Sequence, residues 1–372
     1  MSRTRELEEL CGELFVVGFA GPAVDGDTAR ALAEKRRAGV ILFRRNIESV
    51  DAVYELCTKL IEATASEHGP FIAVDQEGGR VIRVPPPAIQ LPPMRDLGAF
   101  GRPGLCRRAG AAVGGELLPM GINVVFAPVL DVDSNEHNPV IGDRSFGRDP
   151  AVVAEMGAAF ADGLQARGVL ACGKHFPGHG DTHLDSHLAL PAVAHDRARL
   201  EAVELVPFRR AASAVGSLMT AHVVFEALDP GVPATLSHRI ATDLLRRELG
   251  FRGLLFSDDL EMKAVADHYG VEQAAVLAVR AGCDVLLVCS EPELADRAHA
   301  ALVREAEADA DFHARCIEAA ERSRSARRRF PCRLAPSLAA VHRAIDQSGA
   351  SGLLADLAVH RSRSVPPPSG TV

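Results

Sequence analysis

With 372 residues, 47% of them hydrophobic and 24% charged, the chain can build a large core and lies far from the composition of a disordered one. Its net charge of −8 argues against a general nucleic-acid binder, which needs a basic surface to displace phosphate counterions, so any anionic group must be met by local arginines. No uninterrupted apolar run of about 18 residues occurs, and no transmembrane helix is expected.

The first residues, MSRTRELEELCGELFVVGFAG, mix charges into the first apolar run and lack the charged, apolar and small-residue zones of a signal peptide; they read as mature, cytoplasmic protein. Short runs rich in Val, Ile, Leu and Phe then recur along the chain. They are FVVGFAG (15–21), GVILF (39–43), FIAVDQE (71–77), INVVFAPVLDV (122–132), VLACGKHF (169–176), SLMTAHVVF (217–225), GLLFSDDL (253–260) and CDVLLVCSE (283–291). Each is continuous rather than alternating, the pattern of strands buried on both faces of a parallel sheet. Amphipathic stretches at 26–37, 50–66, 150–167, 196–214, 237–249 and 271–281 lie between them and suit crossover helices. Eight such units within one chain predict a single (β/α)₈ TIM-type barrel, and no GxGxxG follows the first run to support a dinucleotide-binding sheet. A helical stretch at 293–329 and a weaker one at 336–347 follow. The barrel domain is therefore set at 1–335, and 336–372 is read as a C-terminal helical extension whose Pro/Ser-rich end, HRSRSVPPPSGTV (360–372), is expected to be frayed. The eight cysteines include no CxxC and several sit in apolar runs, so reduced, buried thiols are expected.

Polar residues gather where the runs end: Asp75 and Glu77, Asp131 and Asp133, Lys174 and His175, His222, Asp258 and Asp259. Barrel enzymes place their chemistry on this rim. The densest segment is GKHFPGHGDTHLDSHLALP (173–191). Its histidines 175, 179, 183 and 187 fall at intervals of four, which on a helix would make a metal-binding face; Pro177, Gly178 and Gly180 interrupt it and make it a loop, so no metal is expected. Within the loop Asp185 and His187 are one residue apart, a spacing that lets the carboxylate take one ring nitrogen and leave the other for substrate. FSDDLEM (256–262) offers Asp258 or Asp259 as a buried nucleophile, with Asp259 alternatively capping the next helix. VDQEGGRVIRV (74–84) and IGDRSFGRDP (141–150) pair acids with arginines beside glycines, which gives forked donors and acceptors suited to sugar hydroxyls or an anionic group.

KHFPGHGDTHLDSH, together with VDQEGGRV, NVVFAPVLDV, VIGDRSFGRDP and FSDDLEM in this order, resembles glycoside hydrolase family 3, in its single-domain bacterial β-N-acetylglucosaminidase branch of cell-wall recycling. The resemblance covers roughly residues 10–330. It implies a retaining exo-β-N-acetylglucosaminidase acting on muropeptide fragments, with Asp258 as nucleophile, His187 as acid/base, Asp185 as its partner, and Asp75, Arg83, Arg144, Lys174 and His175 as sugar-binding residues. No cofactor is implied, and a monomer is expected. Ile82, the proline-rich VPPPAIQLPP (84–93) and everything past about 335 depart from the family pattern. A β-glucosidase or a β-N-acetylglucosaminide phosphorylase of the same family is the alternative reading, and a zinc-dependent barrel hydrolase a weaker one. The chain has no Trp and only Tyr54 and Tyr269, too few stacking platforms for a polysaccharide groove, so a pocket for one terminal sugar is favoured.

Overall fold

A computed structural model describes residues 3–182 and 190–364 of the chain. All eight apolar runs supply barrel strands: β1 Phe15–Val17, β2 Gly39–Leu42, β3 Phe71–Val74, β4 Val124–Val125, β5 Leu170–Phe176, β6 Ser217–Thr220, β7 Leu254–Asp259 and β8 Val285–Val288. Each pairs in parallel with the next, and β8 closes on β1 with Phe15 opposite Leu286 and Val17 opposite Val288. The fold is a TIM-type (β/α)₈ barrel with helices around it.

The run at 217–225 is not one strand. Ser217–Thr220 stays in the barrel, while Val224–Phe225 leaves it to pair with Ala192–Val193 in a separate two-stranded sheet. The chain between them carries His222 into the rim.

Two apolar layers result, because every strand is buried on both faces. The inner one fills the barrel: Phe256 meets Phe126 edge-on at 5.2 Å and Phe71 at 6.0 Å. Phe330, just past the last barrel helix, joins this layer. Asn123 ties that end together, donating to the carbonyls of Pro70 and Phe330 and accepting from the Ile72 amide. The outer layer lies between strands and helices. There Gly110 of helix Pro103–Leu117 and Gly163 of helix Pro150–Ala166 let two backbones touch: a Cβ on Gly110 would lie 2.1 Å from the Phe160 carbonyl oxygen, and one on Gly163 at 2.1 Å from that of Arg107. Helix Pro103–Leu117 escapes the sequence reading for this reason, since glycines that serve close packing look like breakers.

The C-terminal helical stretch divides at Asp309, whose side chain accepts from the amides of Asp311 and Phe312 and starts helix Ala310–Arg329. Beyond the barrel, helices Leu338–Asp346 and Ala350–Ser364 pack against helix Pro103–Leu117, pinned by Ser348 on Glu116 (2.7 Å) and Arg108 on Asp356 (2.7 Å). Helix extends to Ser364, into the stretch expected to be frayed; residues 365–372 lie outside the described residues. No cysteine is in a disulfide, and all but the half-buried Cys332 are buried. Among the described residues no helix is long and apolar enough to cross a membrane.

Candidate active site

The C-terminal mouth of the barrel holds a cavity of about 270 Å³, and Asp75, Arg83, Arg144, Lys174, His175 and Asp258 all line it. Six of the sequence-derived site residues are thus brought together from four different motifs of the chain. His187 and Asp185 lie outside the described residues. The described remainder of their segment, 175–182, contains strand and turn but no helix, as its proline and glycines require.

Just past β3, the Gln76 side chain accepts from the amides of Arg83 (2.9 Å) and Val84 (3.1 Å) and folds the intervening loop back on itself. Gly78 and Gly79 make the reversal at φ of 118° and 56°, a region that favours glycine. Asp75, Glu77 and Arg83 consequently share one cavity. Lys174, at the end of β5, places its ammonium 2.7 Å from Asp75 and 2.6 Å from Glu77. Arg144 takes Glu77 in a forked pair, Nε at 2.8 Å and Nη2 at 2.9 Å. Burial pushes the Glu77 carboxyl up, but Arg144 and Lys174 outweigh it and hold the group well below the ordinary carboxylate range. Burial likewise opposes the charge on Lys174, and Asp75 and Glu77 more than restore it. Glu77 is therefore the common anchor of two sugar-binding candidates, a role the sequence reading left unassigned.

Asp131, fully buried beyond β4, plays the matching part for the histidines. One carboxylate oxygen accepts from the amides of His175 (3.1 Å) and His179 (2.7 Å), and the other faces His175 Nδ1 at 2.7 Å. Nδ1 must then carry the proton given to Asp131, which turns Nε2 toward the cavity. His179 is buried among these groups, and burial with His175 beside it lowers its pKa to about 4, so it is neutral at pH 7. Its Nδ1 lies 2.8 Å from the Thr182 hydroxyl.

At the tip of β7 a register shift against β8 places Asp258 and Asp259 both on the cavity, where strict alternation would separate them. Their environments differ. Burial pushes Asp258 up, but His222, His175, the Asp259 amide at 2.8 Å and Lys174 together hold it below its ordinary value. Asp259 makes no ion pair with a cation among the described residues. Burial raises it to about 7, reinforced by Glu261 and Asp258 and only partly relieved by the amide of Glu261. Two neighbouring acids pushed apart in this way, one ionised and one titrating near neutral pH, are the arrangement that separates chemical roles in acid–base sites. Asp259 is not the cap of the next helix: that helix, Lys263–Tyr269, starts after Met262, and the Asp259 carboxylate instead accepts from the amides of Glu261 (3.1 Å) and Cys289 (3.3 Å). His222, fully buried, reaches the Asp259 carbonyl through Nε2 at 2.8 Å and Thr235 through Nδ1 at 2.8 Å, so it braces the segment that carries Asp258.

The arrangement can hold a small polar ring on fixed cationic and anionic groups while presenting an ionised carboxylate to it. Comparison with known proteins places that chemistry. Residues 6–318 match the glycosyl hydrolase family 3 N terminal domain. A β-hexosaminidase of Nitrosomonas eutropha is 41% identical over 298 residues, covering 75% of this chain and 83% of that protein. Among solved structures, a β-N-acetylhexosaminidase from Beutenbergia cavernae superposes with a TM-score of 0.80 at 33% identity, covering 86% of this chain and 98% of that one. Native NagZ from Neisseria gonorrhoeae does so with a TM-score of 0.77 at 32% identity, covering 92% and 97%. The chain thus belongs to glycoside hydrolase family 3, as a β-hexosaminidase built on a TIM-type barrel.

Proposed function

We propose that this β-hexosaminidase is a retaining exo-β-N-acetylglucosaminidase that removes terminal β-linked N-acetylglucosamine from peptidoglycan-derived muropeptides through a glycosyl ester on Asp258. The observation that carries the reading is the pair of acids that both line the cavity at the β7 tip: Asp258, held below the ordinary carboxylate range by His222, His175 and Lys174, beside an Asp259 raised to about 7. An ionised carboxylate in the sugar cavity is what a retaining nucleophile requires.

In the first step an Asp258 oxygen forms a bond to the anomeric carbon as the glycosidic C–O bond breaks, and His187, supported by Asp185, gives its proton to the departing oxygen. In the second, neutral His187 takes a proton from water, whose oxygen attacks the anomeric carbon and frees Asp258. Asp75, Arg83, Arg144, Lys174 and His175 hold the sugar. Because Lys174 and Arg144 are tied to Asp75 and Glu77, they offer hydrogen bonds in fixed directions rather than a free positive field, which suits a neutral substrate. The cavity volume of about 270 Å³ is at the small end for ligand sites and fits one terminal sugar.

The test is turnover of aryl β-N-acetylglucosaminide against aryl β-glucoside, each with and without phosphate, and mass mapping of the residue esterified by a slow fluorinated N-acetylglucosaminide. Strong preference for the acetamido sugar, free sugar as product and a label on Asp258 support the reading. Sugar 1-phosphate as product, or a label elsewhere, overturns it.

A further inference from the structure

The opposite end of the barrel carries a second polar concavity, unconnected with the sugar cavity. A recess of about 590 Å³ near the starts of β7 and β8 is lined by Arg246, Arg247, Arg252, Arg280, Arg315 and Arg322, with Glu318 the one carboxylate among its described lining residues. A smaller recess of about 130 Å³ shares Arg252 and Arg322, adds Arg329, and has no acidic residue in its described lining. In a chain of net charge −8 this is a local inversion of sign.

Part of the positive charge is structural. Asp284, fully buried, takes Arg246 at 2.5 Å, Arg315 at 2.6 Å and Arg322 at 3.0 Å, and also accepts from the Leu255 amide. Glu318 pairs with both Arg315 and Arg322, Arg247 with Asp243, and Arg280 with Asp309 and Glu305. Three guanidiniums on one buried carboxylate remain crowded. Burial presses the Arg246 pKa down, Asp284 pulls it back, and Arg322 and Arg315 press it down again. Arg246, only 8% exposed, also keeps a buried Nε with no hydrogen-bond partner. Neither Arg252 nor Arg329 has a carboxylate partner among the described residues; both are exposed at the recess they share, and Arg329 rests on the Phe330 ring. The Arg252 and Arg329 guanidiniums, forked donors on one recess to which no described acid is matched, suit tetrahedral oxyanions better than planar neutral groups.

We infer that this arginine-lined pair of recesses at the N-terminal end of the barrel is a binding site for a small molecule carrying an oligophosphate group. Concavity favours a compact ligand over a long polyanion, which would track a flat stripe instead.

The probe is inorganic tripolyphosphate, titrated calorimetrically into the full chain with saturating N-acetylglucosamine present to occupy the sugar cavity. One saturable site is expected, with affinity falling at least about tenfold in Arg252→Ala/Arg329→Ala and less in the Arg→Lys pair, which keeps charge but loses the fork. ATP, bearing the same triphosphate, is expected to compete. Both arginines are remote from the sugar cavity, so hydrolysis of an aryl N-acetylglucosaminide by the double variant is expected at the wild-type rate. No saturable binding, equal binding by variant and wild type, or binding of heparin with none of tripolyphosphate overturns the inference.

Discussion

Both ends of this barrel bury charge, and they use it differently. At the N-terminal end, arginine donors are spent on main-chain carbonyls: Arg246 on Gly253, Arg315 on Gly282 and Cys283, Arg327 on Gly69. At the mouth, Lys174 and Arg144 give donors to Asp75 and Glu77 and keep their remaining faces toward open volume. The first set of arginines fixes the chain and leaves Arg252 and Arg329 beside it for a ligand; the second arrangement fixes a few groups for something that arrives. Buried ion pairs alone therefore do not mark an active site: what marks it is where the unused donors and acceptors point.

The comparison predicts separate failures. Asp258→Asn is expected to lower kcat by at least about 10³-fold while leaving the thermal midpoint near that of the wild type, since it removes the proposed nucleophile and no ion pair among the described residues; near-normal turnover in stopped assays would end the nucleophile assignment. Glu77→Gln loosens Lys174 and Arg144 together and should cost roughly 10–100-fold in kcat/KM, mostly through KM for the sugar; an effect confined to kcat would argue against a positioning role. Asp284→Asn is the mirror case. Leaving three guanidiniums without their buried counter-charge should cost about 3–5 kcal/mol in urea unfolding, with kcat per folded molecule unchanged, and a drop in kcat instead would join the two ends of the barrel functionally.

The pH dependence at Asp259 tests the mouth from a different side. Its folded pKa of about 7 stands above the unfolded value of about 3.9, so the stability it contributes is fully present below pH ~4 and is lost as pH rises through 7. Asp259→Asn should be least stable relative to the wild type near pH 4 and should recover most of that difference by pH 8.5. Parallel urea midpoints across this range would mean that Asp259 is not a proton-holding group.

Much of this was legible in the sequence. Strand positions follow from apolar runs because barrel strands are buried on both faces, and the rim follows because each run ends in polar residues. Asp75, Arg83, Arg144, Lys174, His175 and Asp258 could be named from their motifs and do share one cavity. What sequence does not display is which charges meet. Glu77 is recognisable as an anchor only once Arg144, 67 residues later, folds onto it, and Asp131 only once His175, 44 residues later, does. The two aspartates of β7 look equivalent in one dimension; a register shift brings both to the cavity, and the position of His222 distinguishes them. Helix Pro103–Leu117 was hidden by glycines whose purpose is tight packing.

Closure of the ring also fixes an order of assembly. Since β1 at residues 15–17 completes its hydrogen bonding only with β8 at 286–288, a chain emerging from the ribosome must carry the outer edge of β1 unpaired until nearly four-fifths of it has been made. Contacts of such long sequence separation form late and fold slowly, and exposed strand edges invite pairing with other chains. The barrel that shapes the mouth cavity in the finished enzyme is thus a hazard during synthesis, and slow translation through residues 250–290 should raise the demand for chaperones.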